Sequence, residues 1–145
     1  MKKQCIGRTD KADFPKLGLE GIAIKIDTGA YTSSIHCEKI IERKKILQCS
    51  FLDEEHPPYN KKMFTFKDYE RVVVRSSNGI SQERFAIKSN IRLFGKIHKI
   101  SLSLNDRKDM RFPVLIGRKF LSGKFIVDPQ LENLSYKKVM PPYED

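Results

Sequence analysis

The run Gly21-Ile22-Ala23-Ile24-Lys25-Ile26-Asp27-Thr28-Gly29-Ala30 changes character after Ile26. Before that point branched aliphatic residues dominate, the composition of a β-strand. After it come a carboxylate, a hydroxyl and a glycine, the residues of a turn. Asp27 is therefore expected at a strand end, where rigid backbone fixes a side chain while leaving its tip accessible. An isolated Asp-Thr-Gly reads as an ordinary turn or cap. Here the apolar strand leads in, and the hydroxyl-rich run Thr32-Ser33-Ser34 leads from Ala30 into Ile35, which makes Asp27 a candidate for chemistry.

Similar short apolar runs recur between turn signals along the chain, at residues 21–26, 47–52, 71–75, 84–88, 96–104 and 125–127. Strands rather than helices follow from their length and their branched and aromatic content. Several alternate: Ile97, Lys99, Ser101 and Ser103 fall on one face, and His98, Ile100, Leu102 and Leu104 on the other, giving one wet and one buried side. A small closed or nearly closed barrel accommodates such strands. Ser77-Asn78-Gly79 lies between Val72-Val73-Val74 and Phe85-Ala86-Ile87, and Asn-Gly is a strong signal for a tight hairpin, so residues 71–88 are expected to fold back on themselves. The polar tip of such a hairpin, with Ser76, Ser77, Asn78 and Gly79, is free to cover a site. Helical signal is confined to residues 117–121, with Gly123 as the stop. Residues 37–45 read as either strand or helix, and residues 53–62, with Pro57-Pro58, read as a loop. No internal repeat is visible.

A second segment, Pro113-Val114-Leu115-Ile116-Gly117-Arg118, places a buried-type apolar run before a glycine and an arginine. Gly117 permits a sharp turn there, and Arg118 offers planar donors to a nearby acceptor. With the hairpin between them, the two segments resemble the retropepsins, whose apolar strand delivers Asp-Thr/Ser-Gly-Ala and whose apolar-apolar-Gly-Arg segment lies beside that loop. The resemblance covers residues 20–128. More narrowly, residues 26–36, 74–77 and 107–121 with Val127-Asp128 resemble a bacterial retropepsin-like family often labelled ATP-dependent zinc proteases and associated with ribosomal-protein glutamate ligases. The resemblance implies an all-β chain of one domain, residues 1–145. Its fold is a small closed acid-protease barrel with a flap-like hairpin and one short C-terminal helix.

It also implies aspartic endopeptidase chemistry, with Asp27, Thr28 and Gly29 catalytic and Ala30, Gly117 and Arg118 supporting the site. Two carboxyl groups at hydrogen-bonding distance share one proton, so the ionised member takes a proton from water while the other donates to the peptide carbonyl. The chain has a single Asp-Thr-Gly, so the second carboxylate is expected from another copy across a two-fold axis. Retropepsins commonly build that interface from terminal strands, which makes residues 4–7 and 134–138 the candidate segments. Retroviral members often carry an acid after Gly-Ala that pairs with the arginine. Tyr31 and Thr32 stand there in this chain, leaving Asp128, Glu38 or a substrate carboxylate as the expected partner of Arg118.

Lys and Arg number 28 against 18 Asp and Glu, a formal net charge of +10, so the surface attracts anionic partners through its overall field. The cations are scattered, as at Lys2-Lys3, Arg43-Lys44-Lys45 and Lys137-Lys138, without the stripe or motif of a nucleic-acid domain. The competing reading is therefore an inactive barrel that docks acidic or ribosomal partners, with Lys44 and Lys45 as contacts. Three cysteines without framework spacing point to a reducing compartment, and the cytoplasm is the expected location. No run is long enough to span a membrane as a helix, and none reads as a signal peptide. His36, Cys37, Cys49, His56 and His98 lack the spacing of a zinc site, and no Walker-type loop is present, so neither metal nor nucleotide is expected as cofactor.

Overall fold

The computed structural model describes residues 2–56, 59, 61–75, 78–106 and 111–139, with Val139 described by its backbone alone. Its first strands are β1 (Gln4–Ile6), β2 (Thr9–Phe14), β3 (Leu19–Ile26), β4 (Ser33–Arg43), β5 (Ile46–Phe51) and β6 (Met63–Phe66). They are followed by β7 (Glu70–Arg75), β8 (Ser81–Leu93), β9 (Lys96–Asn105), β10 (Val114–Ile116) and β11 (Phe125–Val127). Helix α1 (Arg118–Leu121) follows β10, and α2 (Leu134–Val139) follows β11.

Six strands close on themselves in the order β10-β3-β2-β8-β9-β4, with β4 returning to pair with β10. Closure removes the exposed edges that an open sheet of this length would present. Leu19, Ile22, Ile24 and Ile26 of β3 are buried, the alternation from Ile22 onward following the strand period. They meet Ile35, Ile87, Ile91, Leu102, Leu104, Val114 and Ile116 from the other strands, all buried. Each such side chain contributes roughly 1.5–3 kcal/mol by leaving water. The sheet continues beyond the barrel through β5 and β6, where Leu47, Cys49 and Phe51, with Cys37 of β4, extend the same buried core. Residues 37–45, ambiguous from sequence, are mostly strand because residues 37–43 pair antiparallel with β5.

The expected hairpin is present. Residues 70–75 pair antiparallel with 81–86, while the remainder of β8 pairs with β9, so the β7 arm and the first half of β8 stand clear of the barrel wall. Ser76 and Ser77 of the tip lie outside the described residues, as do Pro57, Pro58, Asn60 and Arg107 of the expected segments. At the tip, Asn78 Oδ1 accepts from the Ile80 amide at 3.2 Å, and Gly79 takes φ +83°.

One expectation is corrected. Residues 134–138, taken as a terminal strand, form α2, a second helix that local sequence did not announce. Its first amides are satisfied from a distance: Asp10 on β2 accepts from Ser135 N at 2.9 Å and Tyr136 N at 3.0 Å. The N-terminal segment is a strand, but β1 pairs in parallel with β11 of its own chain, which uses one of its two edges.

Candidate active site

The site arises from a parallel pairing that brings distant segments level. β10 runs beside β3 with Val114 opposite Ile24 and Ile116 opposite Ile26, so both strands end together and release Asp27 and Gly117 side by side. The other edge of β10 pairs with β4, Leu115 opposite Ser34. The Asp27 amide donates to Ile116 O at 2.8 Å, which extends the ladder by one residue and fixes the aspartate backbone. The loop then turns on itself, with Ala30 N donating to Asp27 O at 3.2 Å and Gly29 N donating to Asp27 Oδ1 at 3.0 Å. One carboxylate oxygen is thereby oriented by a backbone amide, and Asp27 remains partly exposed.

Gly117 and Arg118 clasp this loop from the other side. The Arg118 amide donates to Ala30 O at 2.8 Å and the Lys119 amide to Tyr31 O at 2.9 Å. Gly117 N donates to the buried Ser33 hydroxyl at 3.0 Å. A Cβ at residue 117 would lie 2.6 Å from the carbonyl oxygens of both Thr32 and Tyr31, so glycine is required by close approach. At Gly29 the demand is milder, since a Cβ would meet only Asp27 Oδ1 at 3.3 Å.

Arg118 meets none of the acids expected from sequence. Its Nη1 donates to Thr28 O at 3.0 Å, and its guanidinium lies 5.8 Å from the centre of the Tyr31 ring. Tyr31 thus takes up the arginine by cation–π contact at a position where retroviral members often carry an acid. Glu38 instead accepts from the Tyr59 hydroxyl, which pushes that phenol up to about 12, and Asp128 accepts from the Gln130 amide. Among the described residues the Thr28 hydroxyl makes no hydrogen bond.

Asp27 opens into a cleft of about 840 Å³. Ala30, Tyr31 and Arg118 line one side, and Val74 and Arg75 of β7 with Arg84 of β8 line the other. Asp27 is the only carboxylate among the described residues lining it, facing three arginines. The hairpin therefore reaches the site with its stem. Asn78 and Gly79, expected as substrate contacts, do not line the cleft, whereas Arg75, Arg84 and Asn105 were not singled out from sequence. The available signal was the pair of arginines on the hairpin flanking the Asn-Gly tip.

The donors considered for zinc do not converge. His36 Nε2 and His56 Nδ1 each lie 2.9 Å from a different oxygen of Asp53, and His36 Nδ1 lies 3.1 Å from Asn105 O, so these groups are engaged with one another. Burial acts to raise the Asp53 carboxyl, but the Glu55 amide and the two histidines outweigh it and hold the group below its usual range. Cys37 is buried against Cys49, and burial first, then that neighbour, pushes its thiol well up. His98 sits elsewhere, against Phe120 and Phe125, its imidazole held below the usual range by burial and then by Lys124 and Lys96. Among the described residues no group of three or more such side chains is placed to hold a metal ion.

A small closed barrel whose Asp-Thr-Gly loop is clasped by a Gly-Arg segment is the retropepsin-like architecture. Residues 5–138 match the RimB-like family, described as retropepsin-like aspartic endopeptidase RimB, and the chain belongs to that family. Among curated proteins it is 36% identical over 131 residues to a probable alpha-L-glutamate ligase of Shewanella pealeana, matching 88% of this chain and 29% of the relative. It is 29% identical over 149 residues to the protein of that name from Desulfotalea psychrophila, matching 90% of this chain and again 29% of the relative. The chain thus spans under a third of the length of these relatives. A crystal structure of a Legionella pneumophila protein of unknown function superimposes with a TM-score of 0.68 at 26% identity, covering 92% of this chain and 99% of that one.

Proposed function

We propose that the chain is an aspartic endopeptidase in which Asp27 of two copies forms one proton-sharing dyad, and that its substrates are peptides rich in acidic side chains. The observation that carries this reading is the cleft itself, where one oriented, accessible carboxylate stands without a second acid among the described residues of the lining. A lone carboxylate serves as base or as acid but not both at once. A second copy of Asp27 related by a two-fold axis supplies the missing partner. The ionised member of the pair then takes a proton from the attacking water, and the protonated member donates to the carbonyl oxygen of the scissile peptide. Neither step draws on a nucleotide or a metal.

Arg75, Arg84 and Arg118 supply the preference for acidic chains, since guanidinium groups in a partly enclosed cleft attract carboxylates and fix their orientation. The relatives' name fits this preference: homologous sequence occurs within proteins called glutamate ligases, and an enzyme that cleaves glutamate-bearing peptides acts on the same kind of bond. Cytoplasmic location and a ribosomal-protein substrate belong to the same proposal.

The test is cleavage of a mixed peptide library by wild type and by Asp27→Asn. Loss of about 10³-fold or more in the variant is expected, together with inhibition by statine-type transition-state mimics and indifference to chelators. Equal cleavage by both proteins, or activity abolished by EDTA and restored by zinc, would sink the proposal. A net charge of +10 favours one second reading, an inactive module that docks acidic partners. That reading wins if Asp27→Asn preserves biological activity while Lys44→Glu with Lys45→Glu abolishes it.

A further inference from the structure

A second cavity, of about 220 Å³, lies beneath the hairpin beside the aspartate cleft. Thr32 lines both spaces, and both run under β7: Val72 and Glu70 face the cavity, while Val74 faces the cleft. What distinguishes the cavity is its charge. Lys88 on β8, Lys99 on β9, Lys119 on α1 and Lys124 shortly after it line the cavity, against the single acid Glu70 among the described residues. Four exposed lysines, distant in sequence, therefore border one small space. Among the described residues Lys88, Lys99 and Lys119 form no ion pair, whereas the Lys124 ammonium donates to Phe120 O at 3.0 Å and lies 4.9 Å from that ring's centre.

The floor is built of short polar side chains. Ser103 Oγ donates to Ser33 O at 3.2 Å, and Ser33 Oγ in turn accepts from Gly117 N, so the cavity floor and the clasp of the aspartate loop share one residue. Ser101 adds an exposed hydroxyl. A strongly cationic space with hydroxyl donors selects an anion. Its volume is below the roughly 300–1,000 Å³ of sites for whole small molecules, which favours a single side chain of a bound chain.

We infer that this cavity is a specificity subsite that takes an acidic side chain of an extended peptide substrate, with Lys88, Lys99 and Lys119 as its carboxylate-binding residues. The inference rests on the peptidase reading and goes beyond it by placing a second acid requirement away from the cleft arginines. Strands advance about 3.3 Å per residue, so a peptide running beside β7 from Val74 to Glu70 covers about 13 Å. The recognised acids therefore lie about two to four residues from the scissile bond, and the two-fold axis of the proposed dimer places one such subsite on each side of it.

The test compares peptides in which glutamate is exchanged for glutamine one position at a time, cleaved by wild type and by the combined variant Lys88→Gln, Lys99→Gln, Lys119→Gln. In wild type, exchange at one of these positions is expected to lower kcat/KM at least tenfold through KM, and in the variant that selectivity falls to about one. Selectivity unchanged in the variant overturns the inference. A binding assay separates this result from failure of the peptidase reading: fluorescence anisotropy of a labelled glutamate-rich octapeptide on Asp27→Asn protein, with and without the three lysine changes. A Kd raised at least tenfold by the changes supports the subsite even if no cleavage is ever seen, and an unchanged Kd overturns it. A single-stranded RNA of equal charge that binds as tightly, and loses as much affinity with the lysines, also overturns it, because the cavity is then a phosphate site.

Discussion

At Gly117 the absence of one methyl group decides whether two distant loops can meet. Its amide reaches Ser33, while the carbonyls of Tyr31 and Thr32 close over its Cα. Gly117→Ala places Cβ 2.6 Å from both oxygens, and these belong to backbone that is already tied by the Lys119 amide, so little can give way. The expected cost is about 2–4 kcal/mol, the range of overpacked or backbone-straining changes. Urea unfolding of the variant is the measurement. A midpoint equal to wild type would show that the loops part without penalty and that the clasp does not hold Asp27. Arg118 follows the same logic in milder form: its bond to Thr28 O and its contact with Tyr31 hold the outer face of the aspartate loop.

Among the elements, the turn joining β4 to β5 stands out. Arg43 pairs with Ile46, leaving Lys44 and Lys45 as a two-residue connection, at φ +50° and +61°. Such turns favour Asn-Gly, because the left-handed region costs a residue bearing a Cβ roughly 1–2 kcal/mol. Lys44→Asn with Lys45→Gly is therefore expected to raise stability by about 1 kcal/mol, read as a higher urea midpoint with unchanged slope. A fall would mean that the lysine side chains contribute contacts outweighing the backbone strain. The same turn shows what sequence could and could not disclose. The hairpin at Asn78-Gly79 was legible because its turn chemistry is local, and β9 was legible from its alternation. Lys44-Lys45 carries no turn signal, so β4 remained ambiguous from sequence. Helix α2 was missed for a related reason: its first amides are met by Asp10, some 125 residues earlier in the chain, and no local residue advertises that cap. In the candidate site the two loop motifs were legible as patterns. The arginines of the hairpin stem and the lysine cavity were not, since they become neighbours only when β7 and β8 fold over the barrel mouth.

For the whole molecule, charge and symmetry pull in opposite directions. Two copies of a chain with net charge +10 repel, so the proposed dimer is expected to tighten as salt rises, while capture of an acidic substrate weakens over the same range. A two-copy site makes a sharper demand that does not depend on salt. If each active centre takes Asp27 from both protomers, mixing wild type with Asp27→Asn distributes the two chains over three kinds of dimer, and only the wild-type pair holds two acids. At equal amounts and full exchange, about one quarter of all dimers then carry the complete dyad. Activity should therefore fall to about one quarter of that of wild type alone at the same total protein concentration, which is about half per wild-type chain. It should follow the square of the wild-type fraction as the ratio is varied. An enzyme that works as a monomer would follow that fraction in direct proportion. A linear plot, obtained at concentrations where sedimentation shows the mixed dimer present, would remove the shared dyad and leave Asp27 to act with a different acid or not at all.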